Sequence, residues 1–304
     1  MVDPVSFGFN AETAVTNLFQ HVDVDVADVA SAARAEAAQL AGALRAAGIA
    51  VAVAPDTAEP PKPDAVFPNN WVSFHADGSV VLYPMLSPLR RAERREAVID
   101  CVKSQLGFVE RRRIDLSGEE KHGRFLEGTG SLVLDHQQRL AFACRSPRTD
   151  ESLVREWSRQ MDYEPVLFDA ATPDGIPVYH TNVVLWIGQD VAGAGLEWVP
   201  AAQRENLRSR LAAGGRRKVL ELGGAQLLRF AGNMLELGDA RRRRHLVMSA
   251  AAADSLSPPQ RAQLQEAGAI PLVAKVPTIE RLGGGSVRCM LAEVPDSGSL
   301  MDAH

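Results

Sequence analysis

Apolar positions along the chain switch repeatedly from helical spacing to short β-type runs. Residues Val29–Ala47 are rich in Ala and Leu at helical spacing, Asp28 stands at the N-cap position, and Gly48 stops the pattern just before Ile49-Ala50-Val51-Ala52-Val53. That is a helix feeding a strand. The order returns at Arg90–Leu106, stopped by Gly107 and followed by Phe108–Ile114, and again at Asp150–Met161 with Glu164–Phe168. It recurs at Ala201–Ala213 with Lys218–Leu222, and after Ser257-Pro258, a cap followed by a first-turn proline, in a helix leading to Ala269–Ala274.

Between these units lie apolar runs that predict hairpins: Val66–Phe74 with Ser79–Tyr83, and Phe125–Asp135 with Leu140–Cys144. Further first strands are expected at Val178–Ile187, Leu227–Leu237 and Ser286–Val294. A hairpin, helix and strand repeated five times predicts modules arranged as a propeller-like closed set, with an open α/β sheet of five crossovers as the alternative. Polar residues inside the predicted hairpins include Asn69, Glu127, His180, Asn233 and Cys289, separated by 58, 53, 53 and 56 residues. Quasi-equivalent modules would carry these five side chains to one centre.

Composition narrows the class. The 304 residues are 46% hydrophobic, enough for a large core, and 33 basic against 38 acidic residues give a net charge of −5. This balance offers no electrostatic reason to bind nucleic acid or an anionic membrane, so a small soluble substrate is expected. The apolar stretch Val26–Ala54 is interrupted by Asp28, Arg34, Glu36 and Arg45, which bars a membrane span. Three cysteines without framework spacing, and an N-terminus lacking a charged start and apolar run, predict a cytosolic location. Oligomeric state stays open, with a homo-oligomer compatible.

Three residues carry candidate chemistry. Cys289 follows Gly283-Gly284-Gly285, where backbone can approach a ligand closely, and Arg288 beside it favours a thiolate; alone, such a cysteine is more often an inert apolar side chain. His180, opening the apolar run Thr181–Trp186, suits general acid/base work or a structural hydrogen bond. Glu127 is a carboxylate within an apolar run and needs a cation or N–H partner. Gly128-Thr129-Gly130 is too short for a dinucleotide fingerprint, Arg241–Arg244 reads as a solvated turn, and no cluster has metal-ligand spacing.

The segments DAVFPNNWVSFHADG, FLEGTGSLVLD, YHTNVVLWIG, AGNMLEL and GGGSVRCM resemble the pentein superfamily of guanidine-modifying enzymes, which includes arginine deiminases, amidinotransferases and dimethylarginine dimethylaminohydrolases. The likeness is strongest to its citrulline-utilisation hydrolase and arginine-deiminase-related branch. It runs from Phe7-Gly8-Phe9-Asn10 and Asn17-Leu18-Phe19-Gln20 to Cys289. The resemblance implies a single catalytic domain over 1–304 with the five-bladed pseudo-symmetric α/β propeller of the pentein fold, using neither cofactor nor metal. It implies Cys289 as nucleophile, His180 as general acid/base and Glu127 as the carboxylate partnering histidine and substrate. Asp64 matches the superfamily's substrate-nitrogen contact, and Arg148 its clamp for the amino-acid carboxylate.

The chain departs from the arginine-modifying pattern at Asn69-Asn70, where those relatives carry acidic residues. A guanidinium is cationic and only donates, whereas a ureido group is neutral and has a carbonyl acceptor, which an Asn amide can satisfy. Substrate-binding roles for Asn69 and Asn70 therefore tilt the expected substrate to a ureido amino acid such as citrulline. A guanidino or methylated guanidino acid stands second, and either Asn can instead close a turn beside Pro68. The expected activity is a hydrolase acting through a covalent Cys adduct. The alternatives are an arginine deiminase, dimethylarginine dimethylaminohydrolase or amidinotransferase, and, from another class, an inert pentein binding module. Residues Phe9–Asp25 are the candidate substrate-covering loop.

Overall fold

The computed structural model describes residues 1–21 and 28–295; the end of the candidate covering loop, 22–25, lies outside the described residues. In chain order the elements begin with β1 (Val2–Asp3), α1 (Ala11–Ala14), α2 (Val29–Ala46), β2 (Ala54–Pro55), β3 (Val72–Phe74), β4 (Ser79–Leu82), α3 (Pro88–Arg91), α4 (Glu96–Leu106) and β5 (Arg112–Asp115). There follow α5 (Gly128–Ser131), β6 (Leu132–Asp135), β7 (Leu140–Cys144), α6 (Glu151–Met161), β8 (Glu164–Phe168), β9 (Leu185–Ile187), β10 (Val191–Ala194), α7 (Ala201–Leu211) and β11 (Lys218–Glu221). The last are α8 (Gly224–Leu227), β12 (Leu235–Gly238), β13 (Arg244–Ser249), α9 (Ala250–Ser255), α10 (Pro258–Glu266), β14 (Ile270–Ala274) and α11 (Pro277–Gly283).

Caps set the helix starts. Asp28 accepts from the Ser31 N–H, Asp150 from Leu153, and Ser257 forms a reciprocal capping box with Gln260. Gly107 ends α4 at φ +67°. The helix expected over Arg90–Leu106 is instead two, because extended Arg95 (φ −118°, ψ 128°) separates α3 from α4.

Four three-stranded sheets repeat one topology, β3-β4-β5, β6-β7-β8, β9-β10-β11 and β12-β13-β14, and β1 with β2 makes a fifth sheet. In each triplet the first pair is antiparallel and the second parallel, as when Phe142 of β7 faces Val133 of β6 and Val166 of β8. The parallel partner arrives after a helical crossover, as parallel pairing requires. The expected α/β architecture of five modules is thus present, but the first strands are much shorter than their apolar runs.

What replaces the missing strand is a tight turn. Pro68–Asn70 and Thr181–Val183 are single 3₁₀ turns, and Gly128–Ser131 is one α-turn. The N–H groups of Asn70, Val183 and Asn233 donate to the carbonyls of Phe67, His180 and Phe230 at 3.3, 3.2 and 2.9 Å. In this register His180 matches Phe67 and Phe230, while Asn233 matches Asn70 and Val183, which corrects the equivalence drawn from spacing alone. Glu127 and His180 therefore precede turns and do not lie in strands, and Ser286–Val294 forms no strand. Ile49–Val53 is also outside the ladder, which pairs only Ala54 and Pro55 with β1.

Consecutive turns are stapled together. Thr129 Oγ1 donates to the Asn69 carbonyl (3.4 Å), Thr181 Oγ1 to that of Ser131 (2.6 Å), and Asn233 Nδ2 to that of Asn182 (3.0 Å). Gly128 (φ +47°) and Gly232 permit this approach, since a Cβ at Gly128 would overlap the Asn69 carbonyl and one at Gly232 that of Val183.

The chain divides into two compact units: Met1–Thr129 with Val276–Gly285 and Cys289 onward, and Gly130–Lys275 with Ser286–Arg288. The first packs Trp71, Phe74, Val80, Met85, Ile99 and Phe108 into one buried cluster, each such burial contributing about 1.5–3 kcal/mol. Within the second, Phe142, Trp157 and Trp186 are fully buried. There the buried Arg217 pairs with Asp135 at 2.7 Å and also donates to the carbonyls of Gly188 and Leu211.

Candidate active site

In the first unit the loop leading to Asp64 is fixed by a buried lysine. Lys62 Nζ donates to the carbonyls of Thr57 and Pro60, both at 2.7 Å, and pairs with Asp56 at 3.3 Å. Asp64 Oδ2 then accepts from Asn10 Nδ2 (2.7 Å) and Thr13 Oγ1 (3.2 Å).

Arg90 of α3, 2% exposed, gathers the acidic residues. Its Nε and Nη2 each lie 2.9 Å from the two Glu93 carboxylate oxygens, and Nη1 is 2.9 Å from Asn70 Oδ1. The same guanidinium lies 3.8 Å from Asp64 and 4.0 Å from Glu127. Glu127 Oε1 also accepts from the Leu86 N–H at 3.1 Å. One cation thus serves three buried carboxylates. Burial works against the charge on Arg90, but Glu93 first and then Asp64 raise its pKa on balance. Burial pushes the Glu93 carboxyl up to about 7 despite Arg90, with Asp64 and Glu127 adding repulsion.

Asn69 is 0% exposed, and neither its amide nitrogen nor its amide oxygen has a hydrogen-bond partner among the described residues. Asn70 differs, since Arg90 takes its oxygen and only Nδ2 is left without a partner. The Arg90 contact therefore fixes which end of the Asn70 amide is presented. Cys289 is 5% exposed. Its preceding glycines pack under Phe67, where a Cβ at Gly283 would stand 2.8 Å from the ring and one at Gly285 3.0 Å from it.

In the second unit Tyr179 joins two predicted site residues. Its ring centroid is 4.7 Å from that of His180 and 4.9 Å from Arg148 Cζ, a cation–π distance. His180 caps the turn Thr181–Val183 in extended conformation (φ −133°, ψ 143°). The Arg148 loop is held by Ser131 Oγ, which donates to the Arg148 carbonyl at 2.9 Å, and by Ser146 Oγ on the Tyr179 carbonyl at 2.7 Å.

The structure thus gathers Asp64, Asn70 and Glu127 around Arg90, and His180 and Arg148 around Tyr179. Arg90 and Glu93 are absent from the sequence prediction; the opposite-charge i,i+3 spacing is their only signal, and it reads equally as an exposed pair. Among the described residues no group of three His, Cys, Asp or Glu side chains is placed to hold a metal, and no helix is long and apolar enough to cross a membrane.

The family model described as N,N dimethylarginine dimethylhydrolase, eukaryotic, matches residues 3–295. The chain belongs to this family. It is thereby a pentein-superfamily, guanidine-modifying enzyme of the hydrolases that act on C–N bonds, as the resemblance implied. No curated protein sequence matches it. Among solved structures it is similar to the N-terminal domain of ArgZ, an arginine dihydrolase from the ornithine–ammonia cycle in cyanobacteria, in a cysteine-to-serine variant bound to substrate. That likeness has 16% identity and a TM-score of 0.73, covering 95% of each chain. AgrE in complex with ornithine and NAD+ gives 18% identity and a TM-score of 0.74 over 97% of this chain and 39% of AgrE. A dimethylarginine dimethylaminohydrolase, as a histidine-to-glycine variant in adduct with S-methyl-L-thiocitrulline, gives 15% identity and a TM-score of 0.62 over 90% and 92%. These likenesses establish that the family member has the pentein fold.

Proposed function

We propose that the protein is a cysteine-dependent hydrolase of the ureido or guanidino carbon of a small amino acid, with citrulline its preferred substrate. The observation that carries this reading is the amide of Asn70, whose oxygen is taken by Arg90 and whose nitrogen remains a buried donor. A ureido carbonyl accepts such a donor, while a guanidinium has no acceptor to offer. Arg90 also supplies the carboxylates with a guanidinium already, which lessens their demand for a cationic substrate.

In the proposed mechanism the Cys289 thiolate attacks the planar carbon while Glu127 and Asp64 hold its nitrogens, giving a tetrahedral intermediate. His180 protonates the departing nitrogen, leaving a covalent thioester-like adduct. Water, deprotonated by the now neutral His180, adds to that carbon and the thiolate is expelled. Loss of the chain nitrogen of citrulline gives ornithine and, after hydrolysis, carbon dioxide and ammonia; loss of a terminal nitrogen from a guanidino substrate is deiminase chemistry. Arg148 clamps the amino-acid carboxylate.

The solved neighbours with arginine-type substrate and with ornithine support a small amino acid of this type. The family model favours a second reading, N-methylated arginine. Side-by-side turnover of citrulline, arginine and dimethylarginine, scored for ammonia, ornithine and methylamines, decides between them. Preference for citrulline is expected, and clear preference for arginine or its methylated form overturns the ureido assignment. Cys289→Ala is expected to abolish turnover with the fold intact, and undiminished activity refutes the nucleophile. Arg148→Ala is expected to raise KM for substrates with a free carboxylate and leave carboxyl-blocked ones unaffected.

A further inference from the structure

Residues 10–21 tie together two separate parts of the first unit. At one end Asn10 and Thr13 donate to Asp64. At the other, Asn17 Nδ2 lies 3.3 Å from the carbonyls of both Gly283 and Gly284, Gln20 Nε2 lies 2.9 Å from that of Leu282, and the His21 N–H lies 2.8 Å from that of Arg281. These carbonyls belong to the last turn of α11 and to the glycine turn that follows it and leads towards Cys289. Between the ends, Glu12 accepts from the Ser87 hydroxyl and the Leu89 N–H, which anchors α1 to the start of the helical turn bearing Arg90.

The side chains of Thr13 and Gln20 join the two ends. Thr13 Oγ1 lies 3.2 Å from Asp64 Oδ2, 3.0 Å from Gln20 Oε1 and 3.2 Å from the Asn10 carbonyl. A threonine hydroxyl has one proton, so these acceptors compete for it. The Gln20 amide cannot flip to avoid the competition, because its nitrogen is committed to Leu282. While no substrate N–H group shares the Asp64 carboxylate, its charge-assisted bond competes best for that proton. Once substrate N–H groups share that carboxylate, its pull weakens and the proton turns to Gln20.

We propose that Thr13 and Gln20 are positioning residues that couple occupation of Asp64 to the setting of the glycine turn carrying Cys289. They touch no reacting atom, and the inference rests on the roles given above to Asp64 and Cys289.

The test is a double-mutant cycle of Thr13→Val and Gln20→Leu, with Thr13→Ser as the conservative variant and circular dichroism as the check on folding. Each single change is expected to lower kcat about 10-fold with KM within about 3-fold, the double change to lose no more, and Thr13→Ser to return within about 2-fold of the parent. Losses that multiply in the double variant, a loss confined to KM, or a Ser variant no better than Val overturn the coupling. If the parent protein turns over none of the three substrates, the proposed function fails. The coupling is then read from alkylation of Cys289 by chloroacetamidine. It requires equal slowing in the singles and the double, and parental rates overturn it.

Discussion

Replacing Glu93 by Gln tests the crowded carboxylate cluster through its pH dependence. Glu93 is 3% exposed and receives a bidentate grip from Arg90, yet burial and two neighbouring carboxylates hold its pKa at about 7, up from 4.5. A group whose folded pKa is raised binds its proton more tightly in the native state. Its contribution is therefore fully present below the unfolded pKa and is lost as pH rises through the folded one. The window runs from about pH 4.5 to just above 7, and a shift of this size corresponds to about 3 kcal/mol. Glutamine does not titrate, while every other group titrates in both proteins. The unfolding free energy of the parent minus that of Glu93→Gln is expected to fall by about 3 kcal/mol between pH 4.5 and 8. Urea denaturation at four or five pH values measures it. A difference that stays flat, or grows with pH, would mean that Arg90 outweighs burial and that Glu93 is an ordinary ionised partner.

Gly128→Ala places a Cβ into the Asn69 carbonyl at a positive φ; a loss of about 3 kcal/mol, about 5 °C in Tm, is expected by calorimetry, with a larger loss of turnover through displacement of Glu127. Arg217→Met leaves Asp135 buried without its cation and is expected to cost about 3–5 kcal/mol, much of it recovered when Asp135→Asn is added. Burial pushes the Cys144 thiol up to about 12 at 0% exposure, so peptide mapping after iodoacetamide treatment of native protein at pH 8 is expected to find it unmodified; labelling at the rate of a free thiol would contradict that burial.

Helix positions were legible where local chemistry fixes them. Asp28, Asp150 and Ser257 cap as their residue types demand, and Gly107 adopts the left-handed stop. Strand lengths were not. Val66–Trp71 and Val178–Val184 are apolar because they are buried, and a short apolar run looks alike whether it is strand or buried turn. Pro68, which cannot donate to a ladder, was the available hint. The five spaced polar residues do not occupy one equivalent position, since His180 aligns with Phe67, Asn233 with Asn70, and neither with Asn69. Among site residues, Asp64, Asn70 and Glu127 do share a cluster, but Arg90 and Glu93 were hidden in Leu89-Arg90-Arg91-Ala92-Glu93-Arg94-Arg95. That segment has the polarity of a solvated helix, and only tertiary packing buries Arg90 and Glu93 within it.

The staples at Asn69, Ser131 and Asn182 all end on main-chain oxygen. Any amino acid brings that oxygen, so the side chain at each accepting position is released from holding neighbouring turns in place. Such a scaffold can exchange the chemistry it displays at those turns, acid for amide or amide for hydroxyl, without renegotiating its own assembly, and substrate range can drift while architecture persists.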